Sequence, residues 1–175
     1  MNDLIILATL LAGPKHGYQL KREAGLLLGQ EVMHNNTIYP LLRRFAQEGL
    51  VTKKTVSGER GQKRHQYALT RLGRETLITR LSGYSEADAK SKDAFLTRVG
   101  LFQLLDPGVR RRVLDGRAAY LQRSAEHLKE IATHFPLDLY SRETTEFLAR
   151  QVQEELDWIQ HLREMSESPV QRRKV

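Results

Sequence analysis

Apolar residues recur at helical spacing in three stretches of the first fifty residues. Leucines three positions apart predict a first helix over about residues 2–11, which Gly13-Pro14 ends. A second helix is predicted over about residues 16–28. A third is predicted to begin near Asn35 or Asn36, and one of its faces carries apolar residues three, four and seven positions apart: Ile38, Leu41, Leu42 and Phe45.

The third helix has residues that suit its two ends. Asn is a preferred N-cap because its side chain accepts a hydrogen bond from a free backbone N–H, so Asn35 and Asn36 are candidates for capping as well as for ligand contact. Pro40 lies close enough to the start that it removes at most one backbone bond. Gly49 is predicted as the C′ residue that follows the helix.

A basic hairpin is predicted directly after this helix. Residues 50–56 and 63–69 are β-prone, and residues 57–61 between them are rich in turn formers. Thr70 is then the expected N-cap of a fourth helix. The hairpin concentrates five basic residues within about a dozen positions: Lys53, Lys54, Arg60, Lys63 and Arg64.

The second half of the chain has helical patterns only. Residues 82–85 are the expected boundary, and residues 93–105 are so apolar that we expect a helix buried on most sides. Asp106-Pro107 predicts the start of a long helix with a leucine and alanine seam at heptad spacing, and a last helix is expected from Ser141. The length of that seam favours a second copy of the chain as a partner.

These elements predict a mainly α fold with a small β component. An N-terminal winged helix-turn-helix with a two-stranded wing is expected, followed by an all-helical C-terminal dimerisation domain. We expect a DNA-binding domain over residues 1–82, a helical domain for dimerisation and effector sensing over residues 86–167, and a flexible basic tail over residues 168–175.

The net charge of the chain is unevenly distributed between its two halves. The chain carries 28 Lys and Arg against 21 Asp and Glu, a net charge of +7. Residues 1–82 hold 13 basic and 6 acidic residues, whereas residues 83–175 hold 15 of each. The whole excess therefore lies in the half that carries the basic hairpin, which favours double-stranded DNA as the partner.

Other classes of protein find little support in the sequence. The chain has no cysteine, which fits a cytoplasmic location, and its apolar run at residues 4–12 is too short to span a membrane. The six histidines are scattered and form no metal-ligand pair, and no phosphate-binding glycine loop or nucleophile motif occurs. We expect no enzyme, no cofactor and no metal site.

At these positions the sequence resembles the PadR family of bacterial transcriptional regulators. The likeness rests on residues 13–18 (GPKHGY), 37–44 (TIYPLLRR), 48–51 (EGLV) and 67–70 (YALT), with Gly73 completing the set. Phe45 departs from the family, which usually has Leu there, and this indicates repacking. The resemblance implies a regulator, expected to be a repressor, that binds a pseudo-palindromic operator as a homodimer and is released by a small-molecule effector.

The candidate DNA contacts lie on the second and third helices and on the wing. A helix inserted in the major groove reads base edges near its N-terminus, and basic wing residues contact phosphates. The candidates are Lys21, Asn35, Asn36, Thr37, Tyr39, Arg43, Arg44, Lys53, Arg60, Lys63 and Arg64.

The candidate dimer interface follows the apolar stripes of the last two helices. It comprises Leu114, Ala118, Leu121, Ala125, Leu128, Leu148, Val152, Leu156, Trp158, Ile159 and Leu162. No short motif indicates an effector site, so its residues are unknown.

Two other interpretations remain open from the sequence. One is a MarR-like winged-helix regulator, in which both termini usually build the dimer. The other is an interaction adaptor that uses the winged helix to bind protein instead of DNA. A DNA binder loses orders of magnitude in affinity between about 50 and 200 mM salt, whereas an adaptor does not.

Overall fold

The computed structural model describes residues 2–27, 32–57 and 63–167. It divides into two compact units, Met1–Gly83 and Tyr84–Val175. The described residues of the first unit form four helices, a short 3₁₀ turn and three strands. In chain order these are α1 Asn2–Thr9, the 3₁₀ turn Leu10–Ala12, β1 Lys15–His16, α2 Gly17–Leu27, α3 Asn35–Gln47, β2 Val51–Ser57, β3 Lys63–Leu69 and α4 Arg71–Ser82.

The sheet of the first unit is antiparallel, with the strand order β1-β3-β2. The predicted hairpin is present, with Val51 opposite Leu69 and Lys53 opposite Tyr67. The sequence did not predict β1, in which Lys15 pairs with Tyr67. Two residues are too few to show an alternating pattern, so only the tertiary pairing reveals this strand.

The junction between α3 and β2 is built around Gly49 and Thr70. Gly49 has a φ of 71°, and Leu50 N–H donates to Phe45 O at 2.8 Å, which confirms the predicted C′ glycine. Thr70 caps α4, because its hydroxyl accepts from Gly73 N–H at 2.9 Å. A Cβ at Gly73 would lie 2.0 Å from Leu50 O, so α4 packs closely on this turn.

The start of α3 differs from the prediction. His34 is the N-cap residue and makes no side-chain capping bond, and the exposed Asn35 and Asn36 are already helical. The capping role predicted for the two asparagines is therefore wrong. Their side chains remain available at the first turn of the helix.

The described residues 84–167 of the second unit form helices joined by short connections, without a strand. They comprise α5 Glu86–Lys90, α6 Lys92–Gly100, a 3₁₀ turn Phe102–Leu104, α7 Pro107–His134 and α8 Leu139–Glu167. Asp106 and Pro107 begin α7 as predicted, whereas α8 begins two residues before the predicted Ser141. Asp138 explains the earlier start, because its carboxylate accepts from Tyr140 N–H at 2.9 Å.

The heptad seam packs α7 against α8 of the same chain. Leu114, Ala118, Leu121 and Ile159 are buried in one core cluster with Phe95 and Val113. At most 3% of each of these four residues is exposed, so their predicted place in a dimer interface is corrected to intrachain packing. Half-buried seam residues pack against the same cluster: Val152, Leu156 and Leu162.

The segment from Asp93 to Leu105 is less buried than its composition predicted. Leu96 is 41% exposed, whereas the charged Arg98 is only 5% exposed. Arg98 reaches Asp88 at 3.2 Å, donates to Ala94 O at 3.1 Å and lies over the Tyr84 ring. A hydrophobicity pattern cannot register such a buried ion pair, because it treats every arginine as a surface residue.

Candidate nucleic-acid interface

A concave groove of about 900 Å³ lies on the first unit between α3, the sheet and the start of α2. It is the place where the exposed face of α3 meets the wing strands. The groove is lined by His16, Gly17, Tyr18, Gln19, Tyr39, Arg43, Ala46, Gln47, Lys53, Arg64, His65 and Tyr67.

The α3 wall of the groove is a stripe at helical spacing. Tyr39, Arg43 and Gln47 lie four residues apart and are exposed. The opposite face of the helix carries Ile38 and Leu42, which have no exposed surface. The helix is thus anchored by its apolar face, and polar side chains occupy the face that a partner would meet.

Tyr39 lies against the start of α2 at Gly17. A Cβ built on Gly17 would be 3.2 Å from Tyr39 Cε1 and 3.6 Å from its hydroxyl oxygen. The missing side chain therefore lets the ring approach the α2 backbone closely. Tyr39 is still 42% exposed, so its hydroxyl remains accessible from the groove.

Tyr67 forms the floor where the sheet meets α3. It is 5% exposed, and burial raises the pKa of its hydroxyl, with the nearby Tyr39 hydroxyl adding to the effect and the Arg43 guanidinium opposing it. These influences show that the three side chains share one neighbourhood. Tyr67 is therefore part of the wing core.

The wing wall is cationic and exposed. Lys53 lies opposite Tyr67 on β2, and Arg64 and His65 lie on β3. Arg43, Lys53 and Arg64 have no ion-pair partner among residues 2–27, 32–57 and 63–167. Three cations without carboxylate partners around one groove make it attractive to a polyanion.

His16 adds an unused polar atom to the groove wall. Its backbone N–H donates to Gln19 Oε1 at 2.9 Å. Its ring Nδ1 is buried and has no hydrogen-bond partner in the described part of the chain. The His16 ring can therefore still bond to a ligand or an ordered water at the groove.

The predicted DNA contacts fall into three groups. Tyr39, Arg43, Lys53 and Arg64 line the groove. Asn35 and Asn36 are exposed at the first turn of α3, outside the groove lining, while Thr37 and Lys21 are half-buried. Arg60 and the Lys63 side chain lie outside the described residues.

Arg44 makes contacts within α3 that distinguish it from its neighbour Arg43. Its Nε lies 3.5 Å from Glu48 Oε1, and its guanidinium carbon is 5.4 Å from the centre of the Phe45 ring. Arg44 does not line the groove. Its local contacts within α3 favour a role on the helix surface over a role in the groove.

The list of predicted contacts omitted several groove residues. Tyr18, Gln19 and His65 line the groove although no spacing rule marks them. They come together because β1 pairs with β3 and thereby brings the start of α2 to the sheet. The sequence did indicate Gln47, since it continues the four-residue spacing of Tyr39 and Arg43.

The described residues hold neither a metal-binding cluster nor a membrane-spanning helix. Within residues 2–27, 32–57 and 63–167, no group of three or more His, Asp or Glu is placed to hold a metal ion. In that part of the chain no helix is long and apolar enough to cross a membrane. The described first unit instead combines an anchored helix, a basic two-stranded wing and a third short strand, which define a winged helix-turn-helix.

A family comparison supports this class. The model of the Transcriptional regulator PadR-like family matches residues 6–79, which include α3 and the wing. Residues 6–79 are therefore a PadR-like domain, the domain of a family of transcriptional regulators. The match confirms, over these residues, the resemblance predicted from the sequence.

Solved structures of regulators are similar to the chain. A putative transcriptional regulator from Thermoplasma acidophilum is 31% identical, over 45% of this chain and 74% of its own, with a TM-score of 0.41. Bacillus subtilis PadR in complex with operator DNA is 19% identical, over 94% and 98% of the two chains, with a TM-score of 0.45. The same protein with p-coumaric acid is 18% identical over 95% and 98%, with a TM-score of 0.42. A search of curated proteins found no match.

Proposed function

We propose that the chain is a sequence-specific DNA-binding repressor that inserts α3 in the major groove of an operator. The observation that carries this proposal is the groove between α3 and the wing, where exposed Arg43, Lys53 and Arg64 have no carboxylate partner in the described residues. A helix of this size fits a major groove, and the flanking wing is placed to follow the phosphate backbone.

The groove residues divide into two roles under this proposal. Arg43 lies in the middle of the exposed α3 stripe and reads a base edge, because its guanidinium can donate two parallel hydrogen bonds to guanine. Asn35 and Asn36, free of capping, reach base edges at the first turn. Lys53, Arg64 and the Tyr39 hydroxyl contact phosphates, which fixes the position of the protein without selecting sequence.

A homodimer would present two copies of α3 to a pseudo-palindromic operator. The surface we propose for it is a stripe on α8 with exposed Tyr140, Phe147, Trp158 and Met165. They are spaced by seven, eleven and seven residues, which is close to whole helical turns, so they lie along one face. Of the interface predicted from the sequence, Trp158 lies on this stripe, and Ala125, Leu128 and Leu148 stay predictions. Seam residues such as Leu156 pack within the chain.

The two units would then have separate tasks in a cytoplasmic regulator. We propose DNA binding for residues 1–82 and dimerisation with effector sensing for residues 86–167. Residues 168–175 stay a predicted basic tail, outside the described residues. A small molecule that binds the helical unit would lower operator affinity and relieve repression.

Selection of duplexes from a random pool tests the DNA-binding proposal most broadly. The expected result is an enriched sequence with two inverted half-sites about one helical turn apart, roughly 34–36 Å. Enrichment of a single half-site would reject the dimeric operator. No enrichment, together with an affinity for DNA that stays flat between about 50 and 200 mM salt, would favour the adaptor interpretation.

A further inference from the structure

His65 brings an imidazole ring to the groove between α3 and the wing. It lies on β3, opposite Thr55 of β2 and two residues before Tyr67, which forms the floor of the groove. His65 is exposed, and its Nδ1 is 3.4 Å from Thr55 Oγ1. A partner that follows the wing strands therefore meets this ring.

The contact between His65 and Thr55 leaves one ring nitrogen available for a partner. Both nitrogens of a protonated imidazole donate hydrogen bonds. When Nδ1–H of the charged ring donates to Thr55 Oγ1, its Nε2–H is left to donate to an acceptor outside the wing. A phosphate oxygen is such an acceptor, and its negative charge strengthens a hydrogen bond from a charged donor.

Among the described residues, no Asp or Glu lines the groove around His65. Three permanent cations, three tyrosines and one other histidine line it from all the elements that meet there. They are Arg64 and Tyr67 on β3, Lys53 on β2, Tyr39 and Arg43 on α3, and His16 and Tyr18 at the start of α2. A bound polyanion therefore supplies the negative charge that the groove itself does not offer to a protonated ring.

His16 is the second imidazole at the groove, and its surroundings differ from those of His65. Its Nδ1 is buried and has no hydrogen-bond partner in the described residues. His16 is also half-buried, whereas His65 is exposed. Because a phosphate can approach an exposed ring without any movement of the chain, His65 is the better placed of the two to contact DNA.

We propose that His65 contacts a DNA phosphate as an imidazolium, and that the chain takes up a proton when it binds its operator. The inference rests on the proposed DNA binding and specifies how pH regulates that same site. Imidazole changes charge between about pH 5 and 8, whereas arginine, lysine and tyrosine side chains keep their charge state there. Because the complex holds more protons than the free protein and DNA, operator affinity rises as the pH falls through this range.

The affinity of the full-length chain for its selected duplex at two pH values tests the proposal. Fluorescence anisotropy at constant ionic strength compares about pH 6 with about pH 8. The wild type should bind about fivefold more tightly at the lower pH, which is the size of effect expected of one exposed ion pair. Circular dichroism at both pH values checks that the fold is unchanged. Equal affinity at the two pH values would overturn the proposal.

Two substitutions of His65 fix the charge at this position in opposite ways. His65→Gln has no titrating ring and should bind at both pH values as the wild type does at the higher one. His65→Lys carries a cation throughout and should bind at both as the wild type does at the lower one. His127→Gln, exposed on α7, is the matched control and should keep the full pH dependence. Undiminished pH dependence in His65→Gln, with its loss in His16→Gln, would assign the proton to the other ring and sink the proposal.

Calorimetry counts the protons that accompany binding. Titration of the chain with its duplex near about pH 7, in two buffers of different ionisation enthalpy, gives the number of protons taken up. The wild type should take up a fraction of one proton per chain, and His65→Lys should take up none. Duplex binding without proton uptake in the wild type would reject this inference alone. A chain that binds no duplex at either pH would reject the DNA-binding function, and this inference with it.

Discussion

The two units use the same residue type in opposite ways. In the first unit, Arg43 and Arg64 are exposed at a groove and have no carboxylate partner in the described residues. In the second unit, Arg98 and Arg117 are almost fully buried and bind carboxylates and backbone carbonyls. An arginine that is already paired holds its own fold together, whereas an unpaired one is free to bind a polyanion.

The largest expected effect comes from breaking a buried pair. Arg117→Ala leaves the buried Glu155 with only Lys92 Nζ, 3.8 Å away, as its cationic partner, and should destabilise the protein by about 3 kcal/mol. Urea denaturation followed by circular dichroism measures the change. Arg112→Ala, exposed on the same helix, is the control and should change stability by less than about 0.5 kcal/mol. Equal losses in the two variants would remove the distinction between the two uses of arginine.

Acidic substitutions on the α8 stripe should weaken dimerisation and leave folding almost unchanged. Phe147→Glu together with Met165→Glu buries two carboxylates at the proposed interface and should weaken dimerisation at least about a hundredfold. Sedimentation equilibrium measures this, and Glu146→Lys, exposed and away from the stripe, is the control. A dimer that persists in the double variant would show that another surface joins the two copies.

The exposed arginine on α3 should affect binding and leave folding almost unchanged. Arg43→Ala should weaken binding to the selected duplex by about 1–3 kcal/mol if it reads a base. Fluorescence anisotropy on the selected duplex and on a random duplex measures the effect. An equal loss on both duplexes would reassign Arg43 to a phosphate contact, and a large loss of stability would contradict its exposed position.

The smallest expected effect concerns the turn that supports the groove. Thr70→Val removes the hydroxyl that accepts from Gly73 N–H and lies 2.8 Å from Gly49 O, and should cost about 1 kcal/mol of stability. Thermal unfolding measures it against Thr52→Val, an exposed residue on β2. If the two variants unfold alike, the cap does not stabilise the first unit.

Local patterns predicted much of the fold from the sequence. The α3 face, the C′ glycine Gly49, the Thr70 cap and the Asp106-Pro107 start all depend on neighbours within a few residues, and the structure contains each of them. The two-residue strand β1 and the burial of Arg117 depend on partners far away in the chain. Spacing rules contain no information about such partners.

The same reason limits what could be predicted of the candidate site. Helix spacing and charge predicted four of the groove residues: Tyr39, Arg43, Lys53 and Arg64. Tyr18 and His16 join it because the pairing of β1 with β3 brings the start of α2 to the sheet. The heptad seam was recognised correctly as a packing surface, but its pattern is the same whether the partner helix belongs to the same chain or to another.

The salt dependence of DNA binding tests the central claim, that the groove of α3 and the wing meets the DNA backbone. The affinity of the wild type for its selected duplex should fall steeply with salt, and Lys53→Gln with Arg64→Gln should reduce the slope of log affinity against log salt by about 2. The control, Arg112→Gln with Lys129→Gln in the helical unit, should leave the slope unchanged. A slope that is the same in the wing variant as in the wild type would contradict the claim.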